Sequence, residues 1–158
     1  MVDYDALAAE LRALRENVPG ITDTLIAASD GIPIIGDVVR NVDPAHISAL
    51  AAADHGIARQ AAEVMGLGGL SQTVVFGSEG YLAVYAINRM SLMVVLGDKG
   101  LNLGRLLHES RAVIDRVGAI LTPLAQRPPN ERNDPAGARG EDTLDRPESV
   151  TNSLAGRH

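Results

Sequence analysis

The stretch TLIAASDGIPI, residues 24–34, places a tight turn between two apolar runs. Asp-Gly pairs favour two-residue hairpin turns of type I′, in which both central residues take a positive φ. Asp30 and Gly31 are therefore predicted to join two antiparallel strands, which argues against a reactive role for the carboxylate. Because Pro33 has no N–H to donate to a neighbour, the second strand is predicted to lie at an edge of the sheet.

Apolar spacing on either side of this hairpin predicts eight elements. Asp43-Pro44 marks a helix start, because Asp caps free amides and Pro suits the first helical position. Short turns separate the last three strands, which indicates hairpins. The predicted elements are a helix at 4–18, strands at 21–29 and 32–39, a helix at 44–65, strands at 70–77, 81–87 and 91–97, and a helix that Asn102 caps. The order α-β-β-α-β-β-β-α predicts an α+β fold, a single five-stranded, mostly antiparallel sheet with helices on both faces.

The composition changes near Arg127 and divides the chain in two. Residues 128–158 hold four of the eight prolines, and their sparse apolar residues follow no period. Such a segment cannot bury enough surface to offset its ordering entropy. We therefore predict a folded domain at 1–127 and a disordered, proline- and acid-rich tail at 128–158. A short docking motif at 143–150 is the functional alternative.

Composition also excludes several classes of function. A net charge of −6, a single lysine and an aromatic content of 3% argue against nucleic-acid binding, which requires a basic face. The lack of cysteine excludes disulfides, thiolate metal sites and a cysteine nucleophile. No apolar run reaches about 18 residues, and the first helix is charged, so neither membrane insertion nor a signal peptide is expected. We expect a cytoplasmic protein.

The predicted helix at 44–65 is unusually rich in alanine and carries two adjacent apolar stripes. Small side chains allow two helices to approach closely, so we predict a helix shared between the sheet and a second copy of the chain. The strand at 70–77 has no proline and no charge, and an edge of this kind invites pairing with another chain. The predicted dimer-interface residues are Ala51, Ala58, Ala62 and Met65 on the helix, and Gln72, Val74 and Phe76 on the strand. A plain core helix is the alternative.

No pattern of catalytic, metal-binding or cofactor-binding residues emerges. His46 and His55 are nine residues apart on one helix and face opposite ways, and no serine lies in a GxSxG motif. The glycine cluster at 66–70 follows a helix and lacks the Lys-Ser/Thr of a P-loop. The stretch GDKGLNLG, 97–104, could receive an anion at a helix start, although a turn with a helix cap is favoured. Arg89, at a hairpin tip, could act on a partner GTPase as an arginine finger or could simply be solvated.

Three stretches together resemble the roadblock family, also called the dynein-light-chain roadblock family. They are TLIAASDGIPI, the alanine-rich helix after Asp43-Pro44, and LMVVLGDKGLNLGRLLHESRAVIDRV at 92–117. The resemblance covers about residues 3–126 and implies a roadblock/longin/profilin-like fold. It is strongest to stand-alone bacterial members found in conservon clusters beside a sensor-kinase-like protein and a small Ras-like GTPase.

The resemblance implies a homodimer, with sheets joined edge to edge and middle helices paired, that binds small GTPases without catalytic residues of its own. By position, the plausible partner contacts are His55, Arg59, Gln60 and Glu63, which otherwise form a solvated helix face. The expected function is a non-enzymatic homodimeric regulator or scaffold for a small Ras-like GTPase. Two alternatives remain open: a scaffold for a histidine-kinase-like sensor without effect on GTP turnover, and a small-ligand-sensing module.

Overall fold

A computed structural model describes the backbone of residues 1–125 and the side chains of residues 1–122. The predicted tail at 128–158 lies outside the described residues. The eight elements follow the predicted order. They are α1 (Tyr4–Asn17), β1 (Ile21–Ala28), β2 (Pro33–Val38), α2 (Pro44–Val64), β3 (Gln72–Gly77), β4 (Gly80–Asn88), β5 (Ser91–Asp98) and α3 (Leu103–Ala125).

The five strands form one sheet in the order β2-β1-β5-β4-β3, and all four pairings are antiparallel. The strand that begins with Pro33 is therefore an edge strand, as predicted, and β3 is the other edge. Helix α2 carries the chain from one edge to the other. Within the described protomer, the outer backbone groups of β3 consequently have no neighbouring strand.

Successive side chains of a strand point to opposite faces of the sheet, so both faces carry apolar side chains. The helices divide between the two faces and cover them. On one face, α1 and α3 enclose the larger core with Ile26, Tyr85 and Met93. On the other face, α2 packs through Ala51 onto Leu25 and other apolar side chains of the central strands. Within residues 1–125 the face under α2 is thus covered by one helix only, and side chains of α2 meet both sheet and solvent.

The β1–β2 hairpin corrects the predicted two-residue turn. The Gly31 N–H donates to the carbonyl of Ala28 at 2.9 Å, and the Ala28 N–H donates to the carbonyl of Ile32 at 2.8 Å. The loop is therefore Ser29–Gly31, three residues long, with φ +91° at Gly31. This hydrogen-bond pattern belongs to three-residue hairpins with glycine in the left-handed region. The Ser29 N–H points to the other side of β1 and donates to the carbonyl of Met90 at 2.9 Å, next to the last β1–β5 pair, Ala28 with Ser91.

Both ends of α2 are fixed locally, as the sequence predicts. The Asp43 carboxylate accepts a hydrogen bond from the Ala45 N–H at 3.0 Å, and Pro44 is the first helical residue. At the other end, the Leu67 N–H donates to the carbonyl of Ala62 at 2.8 Å while Gly66 takes φ +66°. This is the Schellman ending of a helix, so the glycine cluster at 66–70 ends a helix and is not a nucleotide loop.

A buried carboxylate holds the end of β2. Asp23, with 0% of its surface exposed, accepts hydrogen bonds from the Val39 and Arg40 N–H groups at 2.9 Å and from Arg40 Nε at 2.8 Å. Burial alone would raise the pKa of Asp23, but the hydrogen bonds, chiefly those from Arg40, outweigh it and lower that pKa overall. The start of the β2–α2 connection is thereby anchored to the central part of the sheet.

Candidate partner-binding surfaces on helix α2

Helix α2 exposes a row of large apolar side chains, which we call the outer stripe: Leu50, Ile57 and Val64. Their exposed fractions are 54%, 71% and 81%. They are spaced by seven residues, about two helical turns, and therefore lie on one side of the helix. Three large apolar residues in a row on an exposed helix face are unusual for a surface that remains in water.

The sheet-facing row of α2 consists of small residues, and this corrects two predicted interface positions. Ser48 and Ala51 are fully buried, and Ala62 is 6% exposed. Ala51 contributes to the core under α2, so neither alanine is available to a second chain. Ala58 is half-buried and Met65 is exposed. Apart from Ile47, which packs against this core, the side chains that face the protomer's own sheet are small, and the large ones of the outer stripe point away from it.

Strand β3 continues the exposed apolar surface beside α2. Thr73 Oγ1 donates a hydrogen bond to Asp54 Oδ2 of α2 at 2.5 Å, which places Thr73 and, by alternation, Val75 on the α2 side of the sheet. Val75 is 47% exposed. The predicted interface residues Gln72, Val74 and Phe76 point to the opposite face. There Val74 packs against the larger core, and the exposed Phe76 makes an edge-to-face contact with Tyr81, with centroids 4.7 Å apart.

A groove of about 1190 Å³ opens on the other flank of α2, between this helix, the loop that follows it, and the tips of two hairpins. Its polar lining side chains are Ser29, His55, Arg59, Glu63, Asn88 and Arg89. The two hairpin tips are held together by the hydrogen bond from Ser29 N–H to the Met90 carbonyl. His55, Arg59 and Glu63 repeat every four residues and so follow one side of the helix, roughly opposite the outer stripe.

The groove carries a small excess of positive charge, which Arg89 supplies from the hairpin tip opposite the helix. Partial burial lowers the pKa of His55, the nearby Arg59 guanidinium lowers it further, and Asp54 offsets part of this effect. His55 is therefore neutral near pH 7, and its Nδ1 has no hydrogen-bond partner among the described atoms. The charges that face the groove are Arg59 and Arg89 against the single carboxylate of Glu63.

Three of the four predicted partner contacts thus share one groove. His55, Arg59 and Glu63 line it, whereas Gln60 is exposed on α2 outside it. The sequence identified Arg89 only as a hairpin-tip residue, because its place in the groove depends on β1 and β5 being neighbours. It recognised two adjacent apolar stripes on α2 but assigned the dimer contacts to the one that contains Ala51 and not to the one that forms the outer stripe, and it did not identify Val75.

At the turn 97–102 and the start of α3, some of the amides that might have received an anion have internal partners. The Asp98 carboxylate accepts from the Gly100 N–H at 2.8 Å, and Asn102 Oδ1 accepts from the Arg105 N–H at 3.0 Å. The side chain of Asn102 thus caps α3, as predicted. Among the described side chains, no three potential metal ligands form a cluster. No helix within that part of the chain is long and apolar enough to cross a membrane.

Comparison with known proteins finds relatives by sequence and solved structures of similar fold. An uncharacterised protein of Methanocaldococcus jannaschii is 29% identical over 101 residues, which cover 64% of this chain and 85% of that protein. The crystal structure of a Roadblock/LC7 domain from Streptomyces avermitilis is similar with a TM-score of 0.66 and 20% identity, covering 75% of this chain and 97% of that one. The gliding protein MglB from Thermus thermophilus is similar with a TM-score of 0.70 and 14% identity, over 76% of this chain and 91% of that one.

The family model of the Roadblock/LC7 domain matches residues 7–97, which run from the first turns of α1 to the end of β5. The match spans more than half of the chain and includes α2, the groove and the β3 edge. It ends before α3, which begins at Leu103. The chain belongs to the Roadblock/LC7 domain family.

Proposed function

We propose that the protein is a non-enzymatic homodimer that binds a small Ras-like GTPase as a regulator or scaffold. The observation that carries self-association is the continuity of the outer stripe with the unpaired edge of β3. Val75, on the α2 side of that edge, extends the apolar surface from helix to strand. The backbone groups of β3 would pair with those of a second β3, and the outer stripes would pack together.

Several features support this mode of association. No charged or proline residue interrupts β3, so its edge has none of the features that usually prevent pairing. A two-fold dimer brings the same edge and the same stripe of both copies together, which removes both from water at once. A solved structure of MglB, 14% identical to this chain, has a tetrameric arrangement. Self-association therefore occurs in at least one protein of this fold.

The GTPase as partner follows from the family resemblance together with the groove. The groove lies on the flank of α2 away from the outer stripe, so a dimer built on the stripe would leave it open. Its polar and charged side chains suit a reversible protein contact better than a permanent one. A regulator of this kind acts by binding one nucleotide state of the GTPase more tightly than the other, which shifts the population toward that state.

The mass of the purified full chain, measured by sedimentation at micromolar concentration, tests the first half of the proposal. We expect a dimer, and a monomer would contradict it. The second half is tested with a small Ras-like GTPase from the same genome, loaded with GDP or with a non-hydrolysable GTP analogue. We expect binding that differs between the two states, with altered nucleotide release or hydrolysis. Absence of binding to both forms would refute the GTPase as partner, and recovery of only a sensor kinase would favour that alternative.

A further inference from the structure

The groove beside α2 contains two arginines that no described side chain neutralises. The described side chains form four ion pairs: Arg15–Asp37, Arg40–Asp23, Lys99–Glu79 and Arg116–Glu10. Neither Arg59 nor Arg89 takes part in any of them, although both line the same groove. Glu63 is one turn from Arg59 on the helix but makes no ion pair with it. Within the described part of the protomer, two guanidinium groups therefore face a common space without a carboxylate in salt-bridge contact.

The backbones that carry these two arginines are well fixed. Arg89 lies in a short turn in which Asn88 Oδ1 accepts from the Met90 N–H at 2.8 Å, and the Met90 carbonyl accepts from the Ser29 N–H at 2.9 Å. Arg59 lies in the last third of α2, a regular helix that is capped at both ends. Because the two side chains come from separate rigid elements, they can approach one ligand from two sides. A binding group between them needs little reorganisation of the backbone.

The local charge of the groove contrasts with that of the chain around it. The chain has a net charge of −6, and acidic side chains also outnumber basic ones within residues 1–125. In the groove the balance is reversed, since His55 is neutral and two arginines face one glutamate. Arginine binds carboxylates with two parallel hydrogen bonds, which gives geometric selectivity as well as attraction. An acidic group is therefore the complementary ligand.

We propose that the groove binds an acidic segment of a protein partner, with carboxylate side chains held by Arg59 and Arg89. Glu63 repels a further acid at its end of the groove and favours a neutral or basic residue there, which sets the direction of the segment. The inference rests on the proposed function in treating the groove as a partner surface. It adds the chemistry of the partner, and it can be tested without the GTPase.

The direct test is a titration of the isotope-labelled full chain with a short blocked peptide, acetyl-GGEEDEGG-amide, followed by NMR. We expect saturable shifts confined to residues 55–63 and 88–90. The amide analogue acetyl-GGQQNQGG-amide should bind at least about tenfold more weakly, because charge-assisted hydrogen bonds are replaced by neutral ones. Added salt should weaken the binding of the acidic peptide but not the binding of its amide analogue. Equal binding of both peptides, or shifts spread over other surfaces, would overturn the proposal.

Substitutions in the groove provide the second measurement. Arg59→Gln and Arg89→Gln should each lower the affinity for the acidic peptide by about fivefold or more. Arg59→Lys should lower that affinity less, because the charge is kept. Arg105→Gln is the matched control, since Arg105 is exposed on α3 outside the groove. An unchanged melting temperature shows that each variant is folded. If Arg105→Gln has the same effect as the groove variants, the binding is unspecific charge attraction and the proposal fails.

Two further outcomes separate this inference from the proposed function. If the double variant R59Q/R89Q loses the acidic peptide but binds the GTPase as before, the inference stands, and the GTPase binds through a surface other than the groove. If the acidic peptide binds and no GTPase does, the inference stands and the GTPase proposal is wrong. Preference for a single-stranded oligonucleotide over the peptide would also overturn the inference, since the anion would then be phosphate on nucleic acid.

Discussion

The hydroxyl of Thr73 donates a hydrogen bond to the carboxylate of Asp54 and so ties edge strand β3 to helix α2. The bond fixes the relative position of the two elements that form the exposed apolar surface. Thr73→Val keeps the shape of the side chain and its strand propensity but leaves the Asp54 carboxylate without this partner. We expect a loss of about 1 kcal/mol in the free energy of unfolding, measured with urea.

The same substitution should weaken the proposed dimer, since the strand edge and the helix would no longer be held in one geometry. The dimer dissociation constant of Thr73→Val, from sedimentation, should exceed that of the wild type. Thr22→Val is the control, because Thr22 is on β1 and its hydroxyl donates to Leu96 of β5, away from the edge. Equal dissociation constants for both variants would show that the Thr73–Asp54 contact has no part in association.

The outer stripe gives the sharpest test of self-association. Ile57→Glu introduces a charge where we propose that two helices meet, and burying an unpaired carboxylate is costly. We expect the dimer to weaken by on the order of 2 kcal/mol, the range of a central interface residue. Because Ile57 is 71% exposed in the protomer, the fold should be retained, which circular dichroism checks.

Gln60→Glu is the matched control for this substitution. It adds the same charge to the same helix three residues away, at an exposed polar position. Gln60→Glu should therefore raise the dimer dissociation constant much less than Ile57→Glu does. Ala58, which the sequence indicated as a contact, is half-buried between sheet and stripe, so Ala58→Glu would confound folding with association. If Ile57→Glu leaves the dimer dissociation constant unchanged, the outer stripe is not the dimer interface.

The buried carboxylate of Asp23 makes stability depend on pH in a defined direction. Its pKa is lower in the folded state, so its contribution is present above the unfolded pKa, near 4, and is lost as the pH falls through the folded value. Asp23→Asn should destabilise the protein by about 2 kcal/mol at pH 7, and the difference from wild type should shrink on acidification below about pH 4. Urea unfolding at several pH values measures both.

Asp37 serves as the comparison for Asp23 on the same hairpin. It pairs with Arg15 at 2.6 Å, but both side chains remain partly exposed. Surface pairs of this kind contribute at most about 1 kcal/mol, so Asp37→Asn should be the milder change. If the two substitutions cost the same, the backbone hydrogen bonds to Asp23 do not stabilise the end of β2 as the geometry indicates.

Substituting two glycines with positive φ distinguishes the cost of backbone strain from the cost of a steric clash. Gly31 has φ +91°, and a Cβ there would lie 3.1 Å from the Cα of Ala49; Gly66 has φ +66° and nothing within 4 Å. Gly66→Ala should cost only the strain of the left-handed conformation, about 1 kcal/mol. Gly31→Ala should cost more, since the hairpin tip must also move from α2. Thermal unfolding of the two variants gives the comparison, and a smaller loss for Gly31→Ala would contradict the contact.

Local signals predicted most of the fold. Asp43-Pro44 and Gly66 determine the ends of α2 through side-chain and backbone geometry within a few residues, and Pro33 identifies an edge strand because it lacks an N–H. The Ser29–Gly31 loop was misjudged as two residues, because an Asp-Gly pair also fits a three-residue loop that Ala28 and Ile32 close and in which Gly31 takes a positive φ. Sequence spacing does not decide between the two loop lengths.

The orientation of α2 was harder to predict, since apolar residues surround much of this helix. Large apolar side chains are usually the buried ones, yet here Ala51 is buried and Ile57 is exposed. Close packing of the helix onto the sheet selects small residues beside Ile47, and the large residues of the outer stripe are left on a surface that the described part of the protomer does not cover. The groove forms because β1 and β5 are neighbours in the sheet, which the sequence does not show. Arg59 could therefore be identified from its place on the helix, but its position opposite Arg89 could not be predicted.

The placement of the outer stripe and the groove on opposite flanks of one helix has a consequence for stoichiometry. A two-fold dimer joined through the stripe would carry two equivalent grooves, and so would be bivalent. A partner with a single acidic segment would bind as two copies per dimer, whereas one with two such segments could bridge both grooves and gain avidity from the fixed spacing between them. Counting bound partners per dimer would distinguish a clamp on one molecule from a platform for two.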